Sequence, residues 1–170
     1  MSEDVFIQAY DDYSDALFRY CYFRVYDREK ALELVQETFT KAWVYVKDNQ
    51  DKEIENFRAF LYRVAKNLII DNARRNKKRP TSSLDDLREA GFDPGTDPTG
   101  AMKNLLDNKS ALTVIEQLPD KYREVVWLRY LEDMSVKEIA LMLEDSENNV
   151  SVKIHRGLSK LRQLIPDHNG

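Results

Sequence analysis

Near the end of the chain the segment ENNVSVKIHRGLSKL (147–161) gathers the side chains best suited to contact a polar partner. Read as a helix, it puts Val150, Ile154, Leu158 and Leu161 on one face, and Asn148, Ser151, Val152, His155, Arg156 and Ser159 on the other. The second face offers small polar and cationic groups, chemistry suited to contacting a polar partner. The segment ahead of it, SVKEIALML, begins at Ser135 with Glu138 three residues on, the spacing of a capping box at a helix start. Its buried stripe is Ile139, Met142 and Leu143. Glu144, Asp145 and Ser146 break the pattern, and Ser146 suits the N-cap of the following helix. A short helix, a tight polar turn and a longer basic helix form the shape of a helix-turn-helix that lays its second helix in a DNA major groove. An ordinary helical hairpin fits the same pattern, so the rest of the chain must decide.

Composition limits the elements that could carry this motif. A length of 170 residues holds one ordinary domain or two small ones. Only 5 Gly and 5 Pro among many helix formers predict an all-α protein. The single cysteine excludes an internal disulfide and fits a reducing compartment. Cys21, beside Leu17 and Tyr20, reads as a buried structural thiol. With one Cys and 2 His no metal site is expected, and no cofactor. The start MSEDVF lacks the basic and apolar regions of a signal peptide, and no apolar run nears the roughly 20 residues of a membrane span. No membrane insertion is expected, and the expected location is the cytoplasm.

The net charge of −4 suits DNA poorly until it is divided. Residues 1–56 carry about −6, residues 57–79 about +7, residues 80–108 about −4 and residues 147–162 about +3. Two cationic helices thus stand on an acidic body. Affinity for phosphates grows with the charges neutralised, so such a chain binds DNA weakly alone and better when a partner positions it.

Three organisational blocks follow: a helical domain over 1–79, a linker over 80–108 and a second helical domain over 109–166. Three Gly (Gly91, Gly95, Gly100) and three Pro (Pro80, Pro94, Pro98) mark the linker, where Ser83 could cap a short helix over Leu84 to Ala90. The first domain reads as three helices. One spans about Glu3 to Val25, with Phe6, Tyr10, Tyr13, Leu17, Tyr20 and Cys21 on its apolar side. A second runs from about Arg28 to Val46, with Leu32, Val35, Phe39, Ala42 and Trp43 as its inner stripe and Glu33, Gln36, Glu37 and Thr40 outside. A third runs from Phe57 to about Lys78, with Phe57, Phe60, Leu61, Val64, Ala65 and Leu68 inward and Arg63, Lys66, Asn67, Ile70 and Arg74 opposite. Glu33 and Glu37 are like charges four apart, which mildly destabilises a helix. They read either as ordinary exposed carboxylates or as a face for a basic protein partner.

Four segments together carry a resemblance: ELVQETFTKAW (Glu33 to Trp43), FRAFLYRVAKNLIIDNARR (Phe57 to Arg75), LPDKYREVVWLRYLEDMSVKEIA (Leu118 to Ala140) and VSVKIHRGLSKL (Val150 to Leu161). Their order and spacing resemble the extracytoplasmic-function (ECF) group of bacterial sigma factors. This implies a σ2-like three-helix domain, a linker and a σ4-like helix-turn-helix domain. It implies core RNA polymerase and promoter DNA as partners, and an anti-sigma factor as the restraining partner. Leu32, Glu33, Gln36, Glu37 and Thr40 then become candidates for docking on the largest polymerase subunit, where acids would meet basic groups. The third helix and the loop Lys47 to Asn56 match the part that opens and reads the −10 element. The candidates are Arg63, Lys66, Asn67, Arg74 and Arg75, with Asn49, Asp51 and Asn56 in the loop. Extruding a base costs a few kcal/mol, which a cationic track and capture of the unpaired base can offset. The last helix matches the −35 reader. Ser151, Val152, His155 and Arg156 take positions that approach bases, Arg156 being suited to a bidentate contact with guanine, while Lys153 and Lys160 would grip phosphates.

Several residues depart from the family pattern. Glu144 stands where the turn usually has Gly, which implies strain if the backbone needs a positive φ. Asn148 and Asn149 replace the usual Gly-Thr, Ser151-Val152 replaces a more basic-polar pair, Phe60 replaces Trp and Lys66 replaces Arg. The other readings are a helix-turn-helix regulator that does not bind polymerase, which has no use for the acidic-aromatic Glu33 to Trp43 helix, and an enzyme. For an enzyme the sequence supplies no paired carboxylates in a plausible pocket, no nucleophile motif and no phosphate loop.

Overall fold

The computed structural model describes residues 1–76 and 109–164. The chain divides into two compact units, Met1–Ala90 and Gly91–Gly170. Among the described residues every regular element is helical, so the all-α expectation holds. The helix read over Leu84 to Ala90 lies outside the described residues.

The first unit packs three helices against one another: α1 (Glu3–Val25), α2 (Arg28–Asp48) and α3 (Phe57–Arg75). Each starts at a side chain that accepts from a backbone N–H left unpaired by the helix. Ser2 Oγ accepts from Val5 N at 3.3 Å, Asp27 Oδ1 from Lys30 N at 3.0 Å and Asn56 Oδ1 from Ala59 N at 2.9 Å. Caps of this kind stabilise a helix by about 1 kcal/mol each. α1 stops at Tyr26, which takes the left-handed conformation (φ 54, ψ 32) and donates its N–H to Tyr22 O at 2.7 Å. The core contains Leu17, Tyr20, Cys21, Ala31, Ala42, Leu61, Tyr62 and Ala65, all buried from solvent.

The α2 stripe differs from its sequence reading. The buried residues are Ala31, Leu34, Val35, Thr38, Phe39, Ala42 and Val46, whereas Leu32 is 46% exposed on the outer face. The reason is that two small residues face inward. Ala31 lets α2 pack closely, and Thr38 hides its hydroxyl by donating to Leu34 O at 2.7 Å. On α1, Tyr10 likewise sits at the rim, exposed, with its ring 4.8 Å from that of Phe39. α2 extends to Asp48, beyond the expected Val46, and α3 is described to Arg75.

The second unit has four helices: α4 (Lys109–Glu116), α5 (Asp120–Tyr130), α6 (Val136–Leu143) and α7 (Glu147–Leu164). α7 packs against α4, α5 and α6. Leu118, Tyr122 and Val126 form one apolar cluster against which Leu161 packs, and Val125, Leu128, Met134, Ile139 and Val150 are fully buried. α6 starts with the expected capping box: Ser135 Oγ accepts from Glu138 N at 3.0 Å while Glu138 Oε1 accepts from Ser135 N at 3.3 Å. It ends at Glu144, held at φ 53 and ψ 45 where glycine is normally favoured. Glu144 N donates to Ala140 O, and Asp145 N donates to the same oxygen at 3.0 Å, closing the helix end.

Candidate nucleic-acid interface

Three surfaces carry the residues singled out in the sequence. The first is the outward face of α7. Val150, Ile154 and Gly157 are buried, which turns Ser151, Val152, His155, Arg156 and Lys160 to solvent. Gly157 makes this orientation possible. A Cβ there would lie 2.8 Å from Val126 Cγ2 and 3.4 Å from Tyr122 Cβ, so α7 sits directly against α5. A glycine inside a helix costs about 1 kcal/mol against alanine, and such a glycine usually marks a close approach. The Lys160 ammonium lies 5.7 Å from the Tyr122 ring centroid and remains exposed.

The turn leading into α7 is organised by Asp145, which in the sequence stands out only as a break in the apolar pattern. Ser146 caps α7 as expected, its Oγ accepting from Asn149 N at 3.1 Å. Asp145 Oδ1 accepts from Ser146 N at 2.8 Å and from Asn149 Nδ2 at 3.0 Å. Asp145 Oδ2 accepts from Lys153 Nζ at 2.8 Å. These three bonds, the one from Lys153 foremost, hold the Asp145 carboxyl down to about 2. Lys153, expected as a phosphate contact, is therefore turned back on the protein.

The second surface is α3 with the loop before it. Asn67, Arg74 and Arg75 are exposed, and Arg63 and Lys66 are half-buried. The Arg63 guanidinium lies 5.9 Å from the Phe60 ring centroid, an arrangement that packs its stem along the ring. Two of the three loop candidates have structural duties. Asn49 closes α2, donating its backbone N–H and its Nδ2 to Tyr45 O at 3.0 and 2.9 Å, and Asn56 caps α3. Asp51 is exposed in the loop between them.

The third surface is the outer face of α2. Leu32, Glu33, Gln36, Glu37 and Thr40 are all exposed on successive turns. Glu33 accepts from Lys30 Nζ at 3.2 Å, and Thr40 donates to Gln36 O at 2.8 Å. Thr40 also borders an open groove of about 370 Å³ lined by Glu3, Phe6, Ile7, Phe39 and Trp43, so the acidic face grades into an apolar one. Among the described residues no three His, Cys, Asp or Glu side chains come together as a metal site. No helix of the described residues is long and apolar enough to cross a membrane.

Comparison with known proteins covers both units. The chain matches the family description Sigma-70 region 2 over residues 9–79 and Sigma-70, region 4 over residues 109–161. It is 33% identical over 175 residues to the ECF RNA polymerase sigma factor SigW of Bacillus subtilis (strain 168), spanning 97% of this chain and 91% of that protein. To SigM of the same strain, also an ECF sigma factor, it is 29% identical over 158 residues, spanning 92% of this chain and 93% of that one. Among solved structures its fold is similar to the sigma factor RpoE, determined in complex with the anti-sigma factor NepR from Bartonella quintana. There the TM-score is 0.66 at 19% identity, over 94% of this chain and 95% of that one. CnrH, in complex with the cytosolic domain of CnrY, gives a TM-score of 0.66 at 25% identity, over 96% of this chain and 88% of that one. This chain belongs to the ECF RNA polymerase sigma factors, regulatory and non-enzymatic members of the sigma-70 family that direct promoter-specific transcription.

Proposed function

We propose that this sigma factor binds core RNA polymerase through the outer face of α2 and through its second unit. It then reads the −35 duplex with α7 and opens the −10 element with α3. The observation that carries this reading is the outward placement of two chemically different faces: Leu32, Glu33, Gln36, Glu37 and Thr40 on α2, and Ser151, Val152, His155 and Arg156 on α7. Carboxylates around an exposed Leu32 suit a basic protein surface with an apolar centre, where charge steers encounter and apolar contact holds the complex. Arg156 can present two donors to a guanine edge, and Lys160 can hold a phosphate. On α3, Arg63, Lys66, Asn67, Arg74 and Arg75 give a track for the backbone of an opened strand. Asp51 is the loop candidate whose side chain is not committed to a cap, so it is the one proposed to meet a base; Asn49 and Asn56 support the loop.

Two contacts on one enzyme reinforce each other, because the tether between the units keeps the second at high effective concentration once the first has bound. The reading sets the protein in the cytoplasm with the polymerase. The complexes formed by RpoE and CnrH favour an anti-sigma partner for this chain too.

Capture of bacterial core polymerase by the immobilised chain tests this division of labour. Glu37→Ala weakens capture about tenfold, equivalent to ~1.4 kcal/mol, and leaves promoter preference unchanged. Arg156→Ala leaves capture unchanged and relaxes preference at one upstream base pair by roughly 1–3 kcal/mol. Equal loss of DNA binding in both variants would contradict it.

A further inference from the structure

The Asp145 carboxylate takes three donors from the start of α7: the N–H of Ser146, Nδ2 of Asn149 and Nζ of Lys153. The Lys153 bond spans eight residues, at 2.8 Å, and joins the turn to the second turn of the helix. The Asp145 side chain is only 20% exposed and that of Lys153 34%, so the pair is partly shielded from water and salt. Charge-assisted bonds of this length are strong, and here both carboxylate oxygens are occupied. On the same helix His155 and Arg156 are exposed, and among the described residues Arg156 has no carboxylate partner.

From this geometry we infer that Asp145 is a specificity-determining positioning residue. It neutralises Lys153 and tethers Asn149, withholding one cation from DNA phosphates and leaving selection to the base-facing residues. The inference rests on α7 being the −35 reader. Phosphate contacts raise affinity for every sequence alike, whereas base contacts discriminate. A lysine held against the Asp145 carboxylate therefore lowers binding to non-promoter DNA while sparing the reading of bases. Lys153 releases no counterion when the helix docks.

Holoenzyme assembled from core polymerase and the full chain is titrated with a promoter duplex and with an equally long non-promoter duplex in which only the upstream −35 element is replaced, across a KCl series. The chains compared are wild type, Lys153→Gln, Asp145→Asn and the double variant. Lys153→Gln leaves the slope of log affinity against log salt unchanged. Asp145→Asn frees the lysine, steepens the slope by about 0.9 on both duplexes and raises non-promoter binding several-fold, which narrows the preference for the promoter. The double variant returns the slope to the wild-type value. A Lys153→Gln slope flatter by about 0.9 would show that Lys153 already sits on a phosphate and would overturn the inference. An Asp145→Asn slope equal to wild type would overturn it as well. Lys153→Gln retains the Ser146 and Asn149 bonds, so its reading does not depend on whether Asp145→Asn folds. If wild-type holoenzyme shows no promoter preference, the −35 assignment fails and the inference with it. If the preference is present and Lys153→Gln flattens the slope, only the inference fails.

Discussion

In the first unit aromatic rings meet across the helix interfaces, beside small residues such as Ala31 and Ala42. Phe6 lies 4.8 Å from Trp43, Tyr10 the same distance from Phe39, Tyr45 5.0 Å from Phe60, and Tyr20 5.2 Å from Tyr62. In the second unit α7 meets α5 at Gly157, where no room exists for a Cβ. Rings fill space from a distance and carry apolar area out to the rim, which leaves Tyr10 and Leu32 exposed and a groove between α1 and α2. A helix backbone seated on the side chains of its neighbour leaves no such margin, and it fixes the angle at which the outward face of α7 is presented.

Gly157→Val probes the sharper side of this contrast. It destabilises the second unit by about 3 kcal/mol through overpacking against Val126. In native-state hydrogen exchange, protection falls in α5, α6 and α7 and holds in α1 to α3. An equal fall in both units would break the comparison. At the ring-packed rim the effect is smaller. Phe6→Leu keeps most of the apolar volume and gives up ring contacts with Phe39, Trp43 and Phe57, for a loss of about 1 kcal/mol in denaturant unfolding.

Tyr26 and Glu144 sharpen the same comparison, since both stop a helix in the left-handed region, at φ 54 and φ 53. For a non-glycine residue that conformation costs roughly 1–2 kcal/mol, part of which a glycine would lose again to unfolded-state entropy. Glu144 is exposed, so Glu144→Gly raises the melting temperature of the second unit, with a net gain of about 0.5–1 kcal/mol. Tyr26 is half-buried, so Tyr26→Gly brings no gain because the ring's packing is lost. The smallest effect is that of acid. The folded Asp145 carboxyl sits at about 2, below its ordinary value, so its contribution is complete above the usual carboxylate range and is lost as pH falls through about 2. An NMR titration of the Ser146 and Asn149 signals therefore shows a midpoint near 2, and Asp145→Asn removes it.

Local rules made much of this legible. The start of α1, the capping box at Ser135, the Ser146 cap and the polar face of α7 depend on neighbours within one or two turns, and each was readable from spacing. What escaped depends on tertiary approach. The helical period places Leu32 on the inner stripe, while the resemblance places it on the docking face; Ala31 and Thr38 face the core because helix proximity favours small side chains there. Gly157 acquires its meaning only from Val126 on another helix. The Lys153 bond to Asp145 crosses a turn, outside the three- and four-residue spacings by which helix pairs are recognised. Asn49 and Asn56, in the loop matched to −10 reading, also hold helix ends, a duty that depends on where α2 stops and α3 starts.

The most direct test is run-off transcription with core RNA polymerase, the purified chain and a library of templates randomised upstream of the start. Initiation that depends on the chain, with two preferred elements separated by a constant spacing, is the expected result. Arg156→Ala should blur only the upstream element, and Glu37→Ala should lower output without changing either. Initiation at the same templates whether or not the chain is added would contradict its assignment as the factor that selects them.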